Sequence, residues 1–501
     1  MTADLNSSRD GIAMIFPITA LFHDRRAPNA LRLPRSRAQR FATALAGAAA
    51  FTLLISCSGV REPQESLAPA GRLAGPEYLL TLRLGPDDTG EAMAERYGGE
   101  LLFWEPGDVA VLGVDSEYAT ADRAGLSVLA ADDSLEPNAQ VFAGPDASVE
   151  MEGMSSVWGG GMSTVWGGGM STVWGGGLST VWGGGLSTVW GGGEEAEFLW
   201  MPENTAAWHQ IRLQQGHVLA DNLGYGVKIA IIDTGVDLKH PALFEALSPT
   251  EEWKDFRAND DYPDDEPGDL DNRGYGHGTN VAGIVRQIAP RATIMPLRVL
   301  GPDGVGEAAD LAQAIYWAVD NGADVINLSL GAHQPVQAVL EALRIATARG
   351  VLVVTSAGDS DDGMVTYPAS MAHVALGADH KLSLTSVGLD NEKTATANFS
   401  RTKVELAAPG VSIYGPYPAL SQAPWSGTSM SAAIASGALA LAIGQDHGTA
   451  RSTLMGTLMA TSDDIYSGDS NEDYQGQLGE GRINIESFMA RVSGAATDGS
   501  E

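Results

Sequence analysis

Three short stretches of this sequence carry side chains of the kind that move protons and attack carbonyls. Asp233 closes "AIIDTGVD", His277 opens the glycine-flanked "HGTNVAGIV", and Ser429 follows a glycine turn in "SGTSMSAAIASGALAL". A serine hydroxyl is a poor nucleophile until a base removes its proton, and an imidazole sharing its hydrogen bond can do so. A carboxylate behind the imidazole would hold its tautomer and stabilise the imidazolium formed during attack. A helix N-terminus under the serine would offer backbone N–H groups and a positive dipole end to a developing oxyanion. Each residue alone has a plainer reading: a strand-end Asp capping a helix, a surface His, a Ser N-cap. Together they spell acyl transfer.

Such groups have to be assembled by a fold, and from about Trp208 the pattern supplies one. "VKIAIID", "ATIMPLRVL", "ADVINLSL" and "VLVVTSAG" read as buried strands, "AADLAQAIYWAVDNG" and "PVQAVLEALRIATARG" as helices. Near-continuous apolar strands separated by helices predict an α/β fold, a parallel β-sheet flanked by helices on both faces. Sites in such sheets form beyond the carboxyl ends of the strands.

With the blocks in the order Asp, His, Ser, residues 203–492 resemble the catalytic domain of subtilisin-like serine peptidases. The segments "DGVG" (303–306), "NLSLG" (327–331), "SAG" (356–358) and the closing "GEGRINIESFM" add to the likeness. The resemblance implies an endopeptidase that hydrolyses peptide bonds through an acyl-enzyme, with Asp233, His277 and Ser429 as its triad. It implies polypeptide substrates bound as an added strand between Gly304, Val305 and Gly306 on one side and Ser329, Leu330 and Gly331 on the other. Thr355, Ser356, Ala357 and Gly358 would line the pocket for the residue before the scissile bond. No cofactor is required for catalysis.

Residues 78–143 alternate as β-α-β-β-α-β: "YLLTLRL", "DTGEAMAERYG", "GELLFWEPGDVAVLGV", "EYATADRAG" and "LSVLAADDSLEPNAQVFA". This order predicts a small ferredoxin-like α+β domain. Its "EPN" ending resembles that of the family's inhibitory propeptide. The likeness implies a self-processing zymogen whose own propeptide is an intramolecular inhibitor, released by cleavage near 140–205.

Where most of the family has an asparagine that donates to the oxyanion, this chain has Asp359 beside Ser429. An ionised carboxylate there would repel the oxyanion, whereas a protonated one could donate, and burial raises a carboxyl's pKa. An aspartate also stands at this place in at least one proprotein convertase of the family. The expectation is a peptidase slowed or shifted in pH. The alternative is a weak or inactive surface protein that keeps the fold to bind peptides or adheres through its repeats. Ala433 and Ile434 replace the family's usual Pro and His, and Asn280 its second His; packing variation accounts for these.

The rest of the chain concerns delivery. Thirty basic against 63 acidic residues give a net charge of −33, which argues against nucleic acid and acidic lipid as partners. Cys57 is the single cysteine. Basic "RLPRSRAQR" precedes "FATALAGAAAFTLLI" (41–55), which has signal-peptide length and falls short of the ~20 residues of a membrane span. "LISC" resembles the lipobox of bacterial lipoproteins, which implies lipidation of Cys57 and membrane contact only through that anchor; a plain secretory signal is the other reading. Residues 1–57 are thus read as leader and signal, and 58–77 as a tether. The protein is expected outside the cytoplasm, in a bacterial cell envelope or secreted.

Within the linker 144–202 an octapeptide recurs five times over 154–193, with Trp158, Trp166, Trp174, Trp182 and Trp190 in register. Triple glycine denies it a stable helix. It reads as a flexible spacer, an adhesive tract or a strap over a neighbouring groove. In the acidic loop "NDDYPDDEPGDLDN" (259–272), Asp260, Asp264, Asp269 and Asp271 are candidate ligands for a structural calcium ion. Residues 493–501 are read as a flexible tail.

Overall fold

The computed structural model describes residues 75–115, 132–143, 201–268, 272–371, 380–445, 448–467 and 470–494. Cys57 and the signal, most of the tether, the expected helix at 117–125, the octapeptide repeats, Asp269, Asp271 and the tail lie outside them.

The described elements begin with β1 (Tyr78–Arg83), α1 (Gly90–Tyr97), β2 (Glu100–Glu105), β3 (Val109–Val114), β4 (Ser134–Pro137) and β5 (Gln140–Phe142). Next come α2 (Thr205–Gln210), α3 (Leu213–Leu219), β6 (Lys228–Asp233), β7 (Lys254–Asp255), α4 (His277–Ile288), β8 (Thr293–Arg298) and β9 (Val305–Glu307). Then follow α5 (Ala308–Asp320), β10 (Val325–Leu328), α6 (Gln337–Ala348), β11 (Leu352–Ser356), β12 (Lys381–Val387) and β13 (Leu406–Pro409). The hairpin β14 (Ile413–Tyr417) and β15 (Ser421–Trp425) leads to α7 (Thr428–Gln445), α8 (Arg451–Ala460) and α9 (Ile485–Ser493).

Seven strands form the expected parallel sheet, in the order β13-β12-β11-β10-β6-β8-β7. Strand alternation divides its side chains between two cores. Ile229, Ile231, Val325 and Val354 pack with residues of α4 and α7, whereas Ala230, Ile232, Ile326 and Val353 pack with α5 and α6. This two-sided burial is why the strands are apolar almost throughout. Helix α7 is long and apolar enough to cross a membrane, yet 94% of it is buried as the core helix of this sheet.

Strands β1 to β4 form an antiparallel sheet in the order β2-β3-β1-β4. The hydroxyl of Thr89 accepts from Ala92 N to start α1, and Gly98 ends it at φ 69°, a left-handed turn that favours glycine. Leu80, Leu82, Leu112 and Val114 pack with Met93 and Tyr97 of α1. On the other face Leu79, Phe103 and Val111 join the apolar cluster of α5 and α6.

That packing is completed by polar contacts to the starts of both helices. Glu136 Oε1 accepts from Ala338 N at 3.1 Å, and Asn138 Oδ1 accepts from Ala309 N at 3.0 Å. Two helix N-termini, whose first N–H groups have no partner within their own helix, are thereby satisfied from the small sheet. Arg83 pairs with Glu341, and Arg344 with Asp108.

Candidate active site

Asp233, His277 and Ser429 stand on three separate elements. Asp233 is the last residue of β6, His277 the first of α4, and Ser429 the second of α7. Each helix is entered through a glycine at positive φ, Gly276 (87°) and Gly427 (146°). All three side chains are buried. The Nδ1 of His277 lies 2.7 Å from Asp233 Oδ1, which also accepts from Thr234 N at 2.7 Å. Burial works against a charged imidazole, but the charge and hydrogen bond of Asp233, with the carboxylates of Asp265 and Asp359, outweigh it and raise the His277 pKa. Trp425 stands edge-on to the imidazole, centroids 5.3 Å apart.

The hydroxyl of Ser429 donates to the carbonyl of Ser329 at 3.3 Å. Ser329 Oγ in turn donates to the carbonyl of Ser429 at 3.0 Å and is itself held by Asn327. Among the described residues no hydrogen bond joins Ser429 to His277.

Asp359 follows Gly358 (φ 103°) just beyond β11 and is 7% exposed. Its Oδ1 accepts from Thr428 N at 2.9 Å, and its Oδ2 lies 3.2 Å from both Thr428 N and Thr428 Oγ1. A Cβ on Gly427 would come within 2.8 Å of that carboxylate, so close approach and backbone angle both require glycine there. Burial pushes the Asp359 carboxyl up to about 6, against the hydrogen bonds of Thr428 and the charges of His277 and Lys393. Its loop is pinned from behind. Asn398 Oδ1 accepts from Ser360 N at 2.9 Å, while Lys393 donates to Asp361 at 2.6 Å and lies against the rings of Phe399 and Tyr474.

A groove beside these residues holds a strand of the chain itself. Val141 and Phe142 of β5 pair antiparallel with Gly306 and Val305, and Ala143 N donates to Gly304 O at 2.9 Å. On the opposite side Phe142 exchanges both backbone hydrogen bonds with Gly331, at 2.8 and 2.7 Å. The segments Gly304–Gly306 and Ser329–Gly331 thus flank one strand, with Leu330 buried beneath it. Thr355, Ser356, Ala357 and Gly358 form the next wall, and Thr366 N donates to Ala357 O at 3.0 Å.

Sequence reasoning missed Asp265. It lies in the acidic loop but is buried behind His277, accepting from Gly276 N at 3.0 Å and from Thr279 N and Oγ1 at 3.2 and 2.6 Å. Burial pushes its carboxyl up to about 7 against those hydrogen bonds, and the charge of Asp233 adds to the rise. Of the candidate calcium ligands, Asp260 and Asp264 lie among the described residues and Asp269 and Asp271 outside them. Asp260 accepts from Tyr262 N and Asp264 from Leu238 N, while neighbouring Asp255 pairs with Arg298. Among the described residues no cluster of three or more His, Cys, Asp or Glu is placed to hold a metal. Asn280 donates to Ala423 O at 2.9 Å, and Ala433 and Ile434 are core residues.

A family model described as the subtilase family matches residues 224–480. The chain belongs to the subtilase family, the subtilisin-like serine peptidases. An alkaline protease of Alkalihalobacillus alcalophilus is 35% identical over 229 residues, 44% of this chain and 54% of that protein. Subtilisin Savinase of Lederbergia lenta is 35% identical over 229 residues, covering 76% of its length. Thermitase of Thermoactinomyces vulgaris is 33% identical over 252 residues, 48% of this chain and 83% of that protein. A solved protease structure from Pseudoalteromonas arctica PAMC 21717 aligns with a TM-score of 0.50 at 23% identity over 58% of this chain and 98% of that one, a likeness of fold alone.

Proposed function

We propose that the chain is a serine endopeptidase made as an exported zymogen, with Ser429 as nucleophile, His277 as general base and Asp233 as the carboxylate that orients it. The observation that carries this reading is the 2.7 Å Asp233–His277 pair at the carboxyl end of β6, beside a groove already shaped to a peptide strand. A substrate would replace β5 between Gly304–Gly306 and Ser329–Gly331. Ser429 Oγ attacks the carbonyl carbon as His277 takes its proton, and Asp233 stabilises the imidazolium. The first N–H groups of α7 and the Asp359 carboxyl face the developing oxyanion.

Asp359 sets the rate in this scheme. Its carboxyl donates only when protonated, below about 6, whereas His277 accepts a proton only when neutral, above its raised pKa. The two windows overlap at their flanks. A minority of molecules is therefore in the working state at any pH, and the profile is bell-shaped.

Residues 78–143 act as the propeptide, with β5 as the inhibitory strand. Export through the signal at 1–57 and lipidation of Cys57 place the enzyme on the outside of a membrane. Intact mass of the full chain beside Ser429→Ala, followed from pH 5 to 9, tests the reading. Splitting between 140 and 205 in the native chain alone supports it; a chain that neither splits nor hydrolyses added peptides at any pH is a peptide-binding protein instead.

A further inference from the structure

Strand β5 shows what the groove accepts, position by position. Val141 is buried in the same apolar cluster as Leu300, Ala309 and Leu330. The ring of Phe142 is 9% exposed and packs on His333 with centroids 4.8 Å apart. Ala143 follows, its N–H on Gly304 O. The antiparallel register pairs Phe142 with Gly331, two residues on from Ser329, whose carbonyl accepts the Ser429 hydroxyl. The space between Gly331 and Gly358 is taken by Thr366. A Cβ on Gly331 would meet its Oγ1 at 2.6 Å and one on Gly358 its Cγ2 at 2.8 Å, so the threonine fills the gap between the two walls. The strand seated in the groove and the residue that follows it read in sequence as β-branched, aromatic, small, small, and Thr366 narrows the gap between Gly331 and Gly358.

Val141-Phe142-Ala143-Gly144 has this series, and so does every octapeptide repeat: Val157-Trp158-Gly159-Gly160 and its counterparts ending at Gly168, Gly176, Gly184 and Gly192. The repeats lie outside the described residues, and the match is one of sequence to the strand seated in the groove.

We propose that the five Val-Trp-Gly-Gly units are substrates of the chain's own groove, cut after the second glycine. The proposal rests on the peptidase reading above and names its substrate class. Ser429 Oγ bonds to the carbonyl carbon of that glycine as His277 takes the hydroxyl proton. The C–N bond to the third glycine then breaks, and its amine leaves with that proton. Water then cleaves the ester, giving the carboxylic acid and restoring the Ser429 hydroxyl. In the sequence that follows β5 the corresponding bond is Gly144–Pro145, a tertiary amide with a ring carbon in place of the leaving N–H. The sequence running on from the resident strand thus carries the recognition series before a bond that is hard to cut, and the repeats carry it before an ordinary Gly–Gly bond.

The test is a time course of intact masses for the full chain, for Ser429→Ala and for Trp174→Asp, with an added peptide containing Ser-Thr-Val-Trp-Gly-Gly-Gly and a second peptide of unrelated sequence. The expected result is a ladder of N-terminal fragments one octapeptide apart, ending at Gly160, Gly168, Gly176, Gly184 and Gly192, and absent in Ser429→Ala. In Trp174→Asp the fragment ending at Gly176 should form at least tenfold more slowly while the other four persist. Hydrolysis of the unrelated peptide without a ladder, or an unchanged Gly176 fragment in Trp174→Asp, overturns the proposal and leaves the peptidase reading standing. Inertness toward both peptides and the tract overturns both.

Discussion

Asp359 Oδ1 accepts the backbone N–H of Thr428 at 2.9 Å, one residue before Ser429. The carboxyl therefore serves the first turn of α7, the helix that carries the proposed nucleophile. The positive end of an 18-residue helix favours a negative group there, while burial favours a neutral one. The balance lies near 6, within the pH range where a peptidase works.

Asp359→Asn keeps the acceptor for Thr428 and supplies a donor that does not titrate. Turnover at pH 8 should rise by about 10–10² relative to the native chain, set against the ~10²–10³ known from another subtilase for loss of such a donor. The bell should become a single rising limb, because the descending limb belongs to the Asp359 carboxyl. A variant that stays bell-shaped, or is slower at pH 8, refutes the role given to this carboxyl.

Asp265→Ala strips acceptors from Gly276 N and Thr279 N at the start of the helix that carries His277. The cost should be about 1–3 kcal/mol of stability, with a lower kcat and little change in KM. Removing a negative charge near His277 lowers its pKa, so the rising limb should move to lower pH. Asp265→Asn should recover part of the stability. An unmoved limb would leave Asp265 with a structural role alone.

Glu136→Ala and Asn138→Ala each remove a side-chain acceptor from a helix start, an interaction worth about 1 kcal/mol. Inhibition by β5 depends on how firmly its sheet is held, so hydrolysis of an added peptide by the full chain should rise about fivefold in either variant. Unchanged initial rates would mean that β5 is retained by its own backbone pairing.

Glu405 is 7% exposed at the start of β13, accepts from Ser383 N at 2.7 Å, and burial pushes its carboxyl up to about 8. Because the folded form holds this proton more tightly than the unfolded one, the contribution to stability is present at pH 4 and is lost as pH rises toward 8. Glu405→Gln should match the native Tm near pH 4.5 and exceed it by roughly 4–8 °C at pH 8.5, for about 2 kcal/mol. Equal differences at both pH values would contradict this.

Much of the molecule was written in local pattern. Runs such as "KIAIID" and "VINL" read as strands buried on both faces, because they are short and rich in β-branched residues, and the parallel sheet follows. Asp233, His277 and Ser429 were legible for a similar reason: each sits at a strand end or glycine turn whose geometry is set within a few residues. Other features depended on partners distant in sequence. Nothing near Asp265 marks it apart from Asp260 or Asp264, yet only Asp265 is carried under α4, where the start of that helix uses both its oxygens. Thr366 looks like any threonine until Gly331 and Gly358 close on it. The ionisation of Asp359 depends on Thr428, 69 residues away, and on Lys393 behind its loop. The sequence alone determined which elements form and which residues they end on, since propensity and apolar period act over short spans. The tertiary structure decided which carboxyls are buried and how wide the groove is, since desolvation and close packing arise only when distant segments meet.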